Sequence, residues 1–218
     1  MDAISRSVSN WDWITLILFV GLVIITVGKY FFKASFFSFV ALPFNRKYLT
    51  INKKKGRLFN GFHILLTVFQ VLNISLFLFL TRSYAQGEDP DASPYLFWVV
   101  LALLCIYLLI KIILQLGNGY FFENSPLMMN LIFEKLSYFN YSGILAFVGN
   151  LLLIYIFHNY LPVAYTVILL ILVINGIGLT NIFRNHQKLI VPNIFYFILY
   201  LCTLEIAPLV IFISFLNS

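Results

Sequence analysis

Glu205 is an acidic residue in the middle of a long apolar run, "LYLCTLEIAPLVIF", and Pro208 follows it closely. An ionised carboxylate in hydrocarbon costs far more free energy than hydrogen bonds to amides return. We therefore expect Glu205 to be protonated much of the time, and so to be both a hydrogen-bond donor and an acceptor. The ring of Pro208 cannot donate to the carbonyl of Leu204, which leaves an acceptor near the carboxyl group and predicts a kink in the helix.

Three amide side chains fall at the depth of Glu205 in other apolar runs. A helix rises about 1.5 Å per residue, which places Glu205 roughly 20 Å above the cytoplasmic end of its helix. The same count places the amides roughly 18 to 22 Å up, whereas Lys111 ends about 8 Å from that face and is expected to extend toward it. We predict an intramembrane polar layer with four members: Glu205, Gln70, Asn73 and Asn150.

This polar layer has more than one interpretation. In the structural one, a neutral Glu205 hydrogen-bonds to the amides and to the backbone loosened by Pro208, and thereby holds three helices together. In the functional one, Glu205 exchanges a proton with a water-filled path, as intramembrane acids do in pumps and coupled carriers. A third interpretation is that the acid binds a lipid or a cationic ligand.

The elements that position these residues are membrane-spanning helices. The 218-residue chain is 61% hydrophobic and only 10% charged, which excludes an ordinary soluble domain. A span needs roughly 20 mostly apolar residues, and continuous apolar runs favour helices over the alternating strands of a barrel. We predict an all-α polytopic bundle that forms a single integral membrane domain over 1–218. About six spans are expected, near 13–32, 58–80, 94–116, 138–157, 162–183 and 192–215.

The positions of the basic residues predict the orientation of the bundle. Lys and Arg near span ends are retained on the cytoplasmic side. Among the 14 basic residues, all but Arg6 and Arg82 fall on one side if the N-terminus lies outside. The sequence therefore predicts both termini outside the cytoplasm and a first helix that is not a cleaved signal. The positive charge is a topology signal, so no nucleic-acid partner is expected.

Two cytoplasmic segments are candidates for contact with partners or lipid. The first joins the aromatic residues of 36–44 to a basic patch, which suits a segment on anionic inner-leaflet headgroups, although the charges also suffice to fix topology. The basic patch comprises Arg46, Lys47, Lys53, Lys54, Lys55 and Arg57. The second begins at Ser125-Pro126, a good start for a helix, and predicts a short interfacial helix before the fourth span.

The fifth span contains "INGIGLTN", which superficially resembles the start of a phosphate-binding loop. No strand precedes it and the third glycine is missing, so a phosphate site is not expected. Gly176 and Thr180 lie one turn apart and are predicted to let another helix approach, with Asn175 bonding across the contact.

The sequence contains no visible catalytic constellation, and we expect no enzyme activity. Cys105 and Cys202 fall within spans, and no Cys-x-x-Cys or His-x-x-His spacing occurs, so neither a metal site nor a cofactor is expected.

The C-terminal run "FYFILYLCTLEIAPLVIF" resembles a signature of Bacteroidota polytopic inner-membrane proteins of unknown function. The pattern LYLCxLEIxP is matched at Leu199, Tyr200, Leu201, Cys202, Leu204, Glu205, Ile206 and Pro208. The resemblance implies a multi-pass protein of the bacterial inner membrane, and a part in the cell-envelope machinery of that phylum, such as secretion or gliding.

Two functions follow as expectations. The first is a non-catalytic membrane subunit or scaffold of a cell-envelope assembly, with membrane or envelope proteins as partners and anionic lipid headgroups as a further contact. The alternative is a small proton-linked transporter or channel in which Glu205 titrates and the kink at Pro208 moves.

Overall fold

The computed structural model describes residues 12–43, 48–49, 60–87, 90, 93–121, 125–157 and 160–190. Within these residues the chain is helical and forms no strand, which confirms the predicted all-α class. The helices are α1 (Asp12–Phe31), α2 (Lys33–Val40), α3 (Gly61–Gln86), α4 (Pro94–Phe121), α5 (Ser125–Leu151) and α6 (Leu161–Ile190). A π-helical turn, Leu152–Ile156, extends α5.

Five of these helices contain stretches long and apolar enough to cross a membrane. They are Asp12–Phe31, Gly61–Gln86, Pro94–Leu114, Met129–Ile156 and Leu161–Ile182. Each corresponds to one of the first five predicted spans, so the prediction of a polytopic helix bundle is confirmed. The sixth predicted span, 192–215, lies outside the described residues, and the orientation of the bundle stays a prediction.

Helices α3 and α5 form the centre of the described bundle. In the most apolar part of each span, 56% of α3 and 44% of α5 is buried, against 22% of α1, 22% of α4 and 17% of α6. Helix α3 packs against α1, α4 and α5, and α6 packs mainly on α5. The outward faces of the outer helices are rich in large apolar side chains, as a lipid-facing surface requires.

Glycines set the closest contacts of α5 and α6. A Cβ on Gly143 of α5 would lie 2.7 Å from the Cα of Gln70 in α3, and one on Gly178 of α6 would lie 2.6 Å from the Tyr138 ring. Gly149 lies similarly close to Val167. Without a hydrophobic driving force between helices in lipid, such close backbone approach is how membrane helices gain packing energy.

The helix that begins at Ser125 does not end before the fourth span. Instead of the predicted short interfacial helix, α5 continues without a break from Ser125 to Leu151. The physical reason is that no proline or glycine occurs between Pro126 and Gly143, so nothing interrupts the backbone hydrogen bonds. Residues that were expected at the membrane surface, such as Ile132 and Phe133, are therefore buried in the bundle.

The aromatic segment after the first span partly folds back onto the bundle. It forms the short helix α2, in which Phe37 is exposed but Phe39 is fully buried. Phe39 packs edge-on against Tyr48 and Phe62, with ring centroids 5.3 and 6.1 Å apart. One face of this segment thus packs against protein. The basic patch that follows it, at Arg46, Lys47, Lys53, Lys54, Lys55 and Arg57, lies outside the described residues.

Candidate functional site

The buried polar side chains of the described bundle lie on α3 and α5. On α3 they are His63, Gln70, Asn73, Ser75 and Ser83, and on α5 they are Glu134, Ser137, Asn140, Ser142 and Asn150. Because α3 and α5 pack against each other, we refer to these ten residues together as the polar seam. Burying polar groups costs free energy unless they are hydrogen-bonded, so the partners of the seam indicate what it does.

Two members of the predicted polar layer meet directly in the middle of the seam. The Asn150 side chain donates from Nδ2 to the backbone carbonyl oxygen of Asn73 at 3.0 Å. Asn73 donates from its own Nδ2 to the carbonyl of Phe69 at 2.8 Å. The side-chain oxygens of both asparagines have no hydrogen-bond partner among the described residues. These two amides therefore join α3 to α5 and retain acceptor capacity.

Gln70 is the third member of the layer that the structure describes. Its side chain is fully buried, and the backbone of Gly143 packs against its Cα and Cβ. Neither Oε1 nor Nε2 of Gln70 finds a partner within the described part of the chain. Glu205 and Pro208, the remaining residues of the predicted layer and kink, lie outside the described residues.

One end of the seam is built from rings and hydroxyl groups around Tyr48. The Tyr48 phenol lies 3.5 Å from Nδ1 of His63 and also hydrogen-bonds to Ser137. Its ring stacks on Phe133 with centroids 6.0 Å apart, and the His63 ring lies 4.8 Å from Phe133. Burial raises the pKa of the Tyr48 phenol above its ordinary value, and the bond with Ser137 opposes part of that rise.

The same end of the seam contains further contacts between helices. Asn140 donates from Nδ2 to the hydroxyl of Thr67 in α3 at 3.2 Å. Ser137 donates to the carbonyl of Phe133 at 2.7 Å. The first of these bonds ties α3 to α5 on the Tyr48 side of the amide layer, whereas the second lies within α5.

Glu134 and His63 are titratable seam residues that no pattern in the sequence singles out as functional. Each is only 1% exposed. Glu134 precedes Lys135 and resembles part of a solvated surface, because it falls in the segment predicted to be interfacial. The sequence does contain one indication that Glu134 is buried. Glu134, Ser137 and Asn140 are spaced three residues apart, which keeps them near one face of a continuous helix.

The three residues of the fifth span that were predicted to mediate helix packing have different surroundings in the structure. Asn175 donates from Nδ2 to the hydroxyl of Ser142 in α5 at 2.8 Å, an interhelical bond. Gly176 and Thr180 are exposed, and no other described residue lies within 4 Å of a Cβ built on Gly176. The close approach between α5 and α6 occurs instead at Gly178.

A shallow cleft of about 20 Å³ lies between α4 and α5, lined by Lys111, Lys135 and apolar neighbours. A cavity needs about 10–15 Å³ to hold one water molecule, so this cleft is large enough for one group of that size. Within the described ranges, no group of three or more His, Cys, Asp or Glu side chains is placed to hold a metal ion.

The sequence profile of a domain of unknown function, DUF4271, matches residues 14–216. The chain belongs to the DUF4271 family. The match extends from the first span through the segment that contains Glu205 and Pro208, so the whole polar layer falls inside this DUF4271 domain. No curated protein and no solved structure matches the chain.

Proposed function

We propose that this DUF4271 protein is a non-catalytic subunit or scaffold of a cell-envelope assembly in the bacterial inner membrane. The observation that carries the proposal is that three asparagine side chains bond from helix to helix. Asn150 reaches the Asn73 backbone, Asn140 reaches Thr67 and Asn175 reaches Ser142. Polar side chains used in this way fix how helices pack.

The size of the cleft between α4 and α5 supports the same proposal. Ligand sites usually enclose about 300–1,000 Å³, more than ten times the volume found there. The outer helices, in contrast, present broad apolar faces. Leu109 on α4 is 60% exposed, and Leu172 on α6 is 61% exposed. Such faces contact lipid or the helices of another membrane protein.

The test is to purify the tagged protein in mild detergent after photo-crosslinking in cells. A photoreactive amino acid at Leu109 or Leu172 should yield a reproducible set of crosslinked envelope proteins. The matched control places the same amino acid at Leu104 or Ala164, which are buried in the bundle and should crosslink only within the chain. Recovery of a lone, stable protein without crosslinks from the exposed positions would contradict the subunit proposal.

A proton-linked transporter or channel is the second candidate, and one observation favours it. Tyr48, His63 and Glu134, all titratable, are buried at one end of the seam, while Glu205 is predicted at the depth of the amide layer. Titratable groups buried within membrane helices, as His63 and Glu134 are, are typical of proton pathways.

The substitution Glu205→Gln separates the two candidates. A scaffold should still assemble, crosslink to the same proteins and function nearly normally, because glutamine retains the hydrogen-bonding capacity of a neutral acid. A proton-linked protein should assemble normally but lose proton flux, which a pH-sensitive dye inside proteoliposomes measures.

A further inference from the structure

The chain changes direction where α1 ends. Phe32, the residue between α1 and α2, has φ −126° and ψ 44°, whereas ψ in an α-helix is about −42°. Beyond this break, Phe39 packs against Phe62 at the start of α3 and against Tyr141 in α5, with ring centroids 6.1 and 5.8 Å apart. Helix α2 therefore packs beside the break against the two central helices of the bundle.

Helix α2 lies at the predicted depth of a membrane surface. Its contacts Phe62 and Tyr141 fall just inside the predicted spans that begin near 58 and 138. At about 1.5 Å of rise per residue, they lie roughly 6 and 5 Å from the ends of those spans. Lipid headgroups meet acyl chains within about 5–10 Å of such a level.

The outward side of this bend combines aromatic rings with lysines. Phe39 faces the bundle, whereas Lys33, Phe37 and Val40 are exposed and lie on one face of α2, because they are four and three residues apart. Tyr30 and Phe31, at the end of α1, are 81% and 70% exposed. We refer to the exposed residues of the bend as the elbow surface, which comprises Lys29, Tyr30, Phe31, Lys33, Phe37 and Val40.

The elbow surface is basic and has no acidic neighbour on the surface of the described part of the chain. The sequence contains no Asp or Glu between Asp12 and Glu88. Among the described residues only Asp12 and Glu134 are acidic; Asp12 lies at the opposite end of α1, and Glu134 is buried. Lys29 and Lys33 therefore complement an anionic surface.

We propose that the elbow surface lies in the headgroup region of the membrane and binds anionic phospholipid. The rings of Tyr30, Phe31 and Phe37 enter the boundary with the acyl chains, and Lys29 and Lys33 donate to phosphate oxygens. Lipid is favoured over a protein partner because aromatic rings and ammonium groups lie together at headgroup depth. Fixing the topology requires only the lysines and does not account for the exposed rings beside them.

This inference is independent of the proposed function, since a scaffold and a transporter would both be anchored in this way. It also differs from the basic patch between the first two spans, because the elbow surface precedes that patch and belongs to described helices.

A fluorophore on Phe37→Cys tests the proposal in the full chain, with Cys105→Ser and Cys202→Ser to leave a single thiol. The protein is placed in nanodiscs of phosphatidylcholine with a minor fraction of phosphatidylglycerol. Nitroxide lipids should quench the fluorophore more strongly than iodide in the buffer. Spin-labelled phosphatidylglycerol should quench it more strongly than spin-labelled phosphatidylcholine, and added salt should reduce that preference.

Reference positions calibrate the quenching. A fluorophore on Leu172→Cys, on the exposed face of α6, should be quenched by nitroxide lipids without a preference for phosphatidylglycerol. One on Gln86→Cys, exposed at the end of α3, should be quenched mainly by iodide. Quenching at position 37 mainly by iodide would overturn the proposal. Shielding from both quenchers would also overturn it and would indicate that protein covers the elbow surface.

Charge variants test the role of the lysines. Lys29→Gln and Lys33→Gln should each lower the preference for phosphatidylglycerol by up to about fivefold, the effect of one basic residue near an anionic membrane surface. Lys33→Arg keeps the charge and should retain most of the preference. Arg184→Gln is the matched control, because Arg184 is exposed near the end of α6 and its loss removes one charge outside the elbow surface. An undiminished preference in the Lys29→Gln/Lys33→Gln protein, or equal quenching by the two lipids in the parent protein, would overturn the assignment to anionic lipid.

Discussion

Asn150 and Asn73 illustrate how a polar side chain can be retained inside an apolar bundle. The Asn150 amide bonds to a backbone carbonyl of the neighbouring helix, so it needs no charged partner. Interhelical bonds of this kind contribute about 0.6 kcal/mol on average in membrane proteins, and up to about 1.7 kcal/mol. Their main effect is to fix the register of α3 against α5, because a shift by one residue would leave the amide unsatisfied.

The buried amide of Gln70 provides a test of the predicted polar layer. If Gln70 and Glu205 are partners, the substitutions Gln70→Leu and Glu205→Leu should not be additive in the free energy of unfolding. We expect a coupling of about 0.5–2 kcal/mol in a double-mutant cycle measured by unfolding in detergent. Asn140→Ala combined with Glu205→Leu is the control and should be additive, because Asn140 bonds to Thr67 at one end of the seam. Additivity of the Gln70 pair would exclude Glu205 as the partner of Gln70.

Tyr48→Phe tests the cluster at the end of the seam. The change removes the phenol that bonds to His63 and Ser137 and should lower the free energy of unfolding by about 1–2 kcal/mol near neutral pH. The pKa of Tyr48 is raised by folding, so the stabilisation is complete below the unfolded pKa of about 10 and is lost as the pH rises toward the folded value.

The difference in the free energy of unfolding between the wild type and the Tyr48→Phe protein should therefore shrink as the pH increases above about 10. Thermal unfolding of both proteins in detergent across this range gives the difference directly. A deficit that stays constant with pH would contradict the raised pKa, whereas the deficit at neutral pH tests the hydrogen bonds separately. Tyr165→Phe, at an exposed position on α6, is the control and should show neither effect.

At the scale of the elements, the contact between α3 and α5 depends on Gly143. A Cβ at this position would lie 2.7 Å from the Gln70 backbone, so Gly143→Ala requires the two helices to move apart. Overpacking of this kind typically costs about 1–3 kcal/mol. The loss should appear as a lower unfolding temperature in detergent.

Gly176→Ala is the matched control for that substitution, on α6. No other described residue lies within 4 Å of the added methyl group, so stability should be unchanged or rise by up to about 1 kcal/mol from helix propensity. A loss as large as that of Gly143→Ala would mean that a segment outside the described residues packs on Gly176, as the pattern with Thr180 predicts.

At the scale of the whole molecule, the number of spans decides where the C-terminus lies. Six spans place both termini on the same side of the membrane, whereas five place them on opposite sides. With the predicted orientation, alkaline phosphatase fused after Ser218 should be active and a fluorescent protein at that point should be dark. A fluorescent protein inserted between Phe121 and Ser125, in the predicted cytoplasmic connection, should fluoresce. The opposite result at the C-terminus alone would exclude a sixth span.

Composition and hydropathy were sufficient to predict the class of this protein and its first five spans. The physical reason is that a span has to satisfy its backbone hydrogen bonds internally and match the bilayer thickness, and both requirements are local properties of about 20 residues. The contact between Asn73 and Asn150 was also accessible, because helix rise is constant and places the two residues at similar depth. The sequence does not predict which residues contact each other across helices. Nothing in the residues around Gly176 and Gly178, for example, indicates which glycine faces α5.

The tertiary structure alone decided which polar groups are buried and against what. Glu134, in a segment that looks like a membrane surface, is buried because α5 continues through it, and His63 is buried because Tyr48 and Phe133 fold over it. Likewise, Lys111 and Lys135, which are far apart along the chain, share one cleft only because α4 packs beside α5. Which helix surfaces meet depends on the packing energies between several helices at once. These energies cannot be predicted from any single stretch of the sequence.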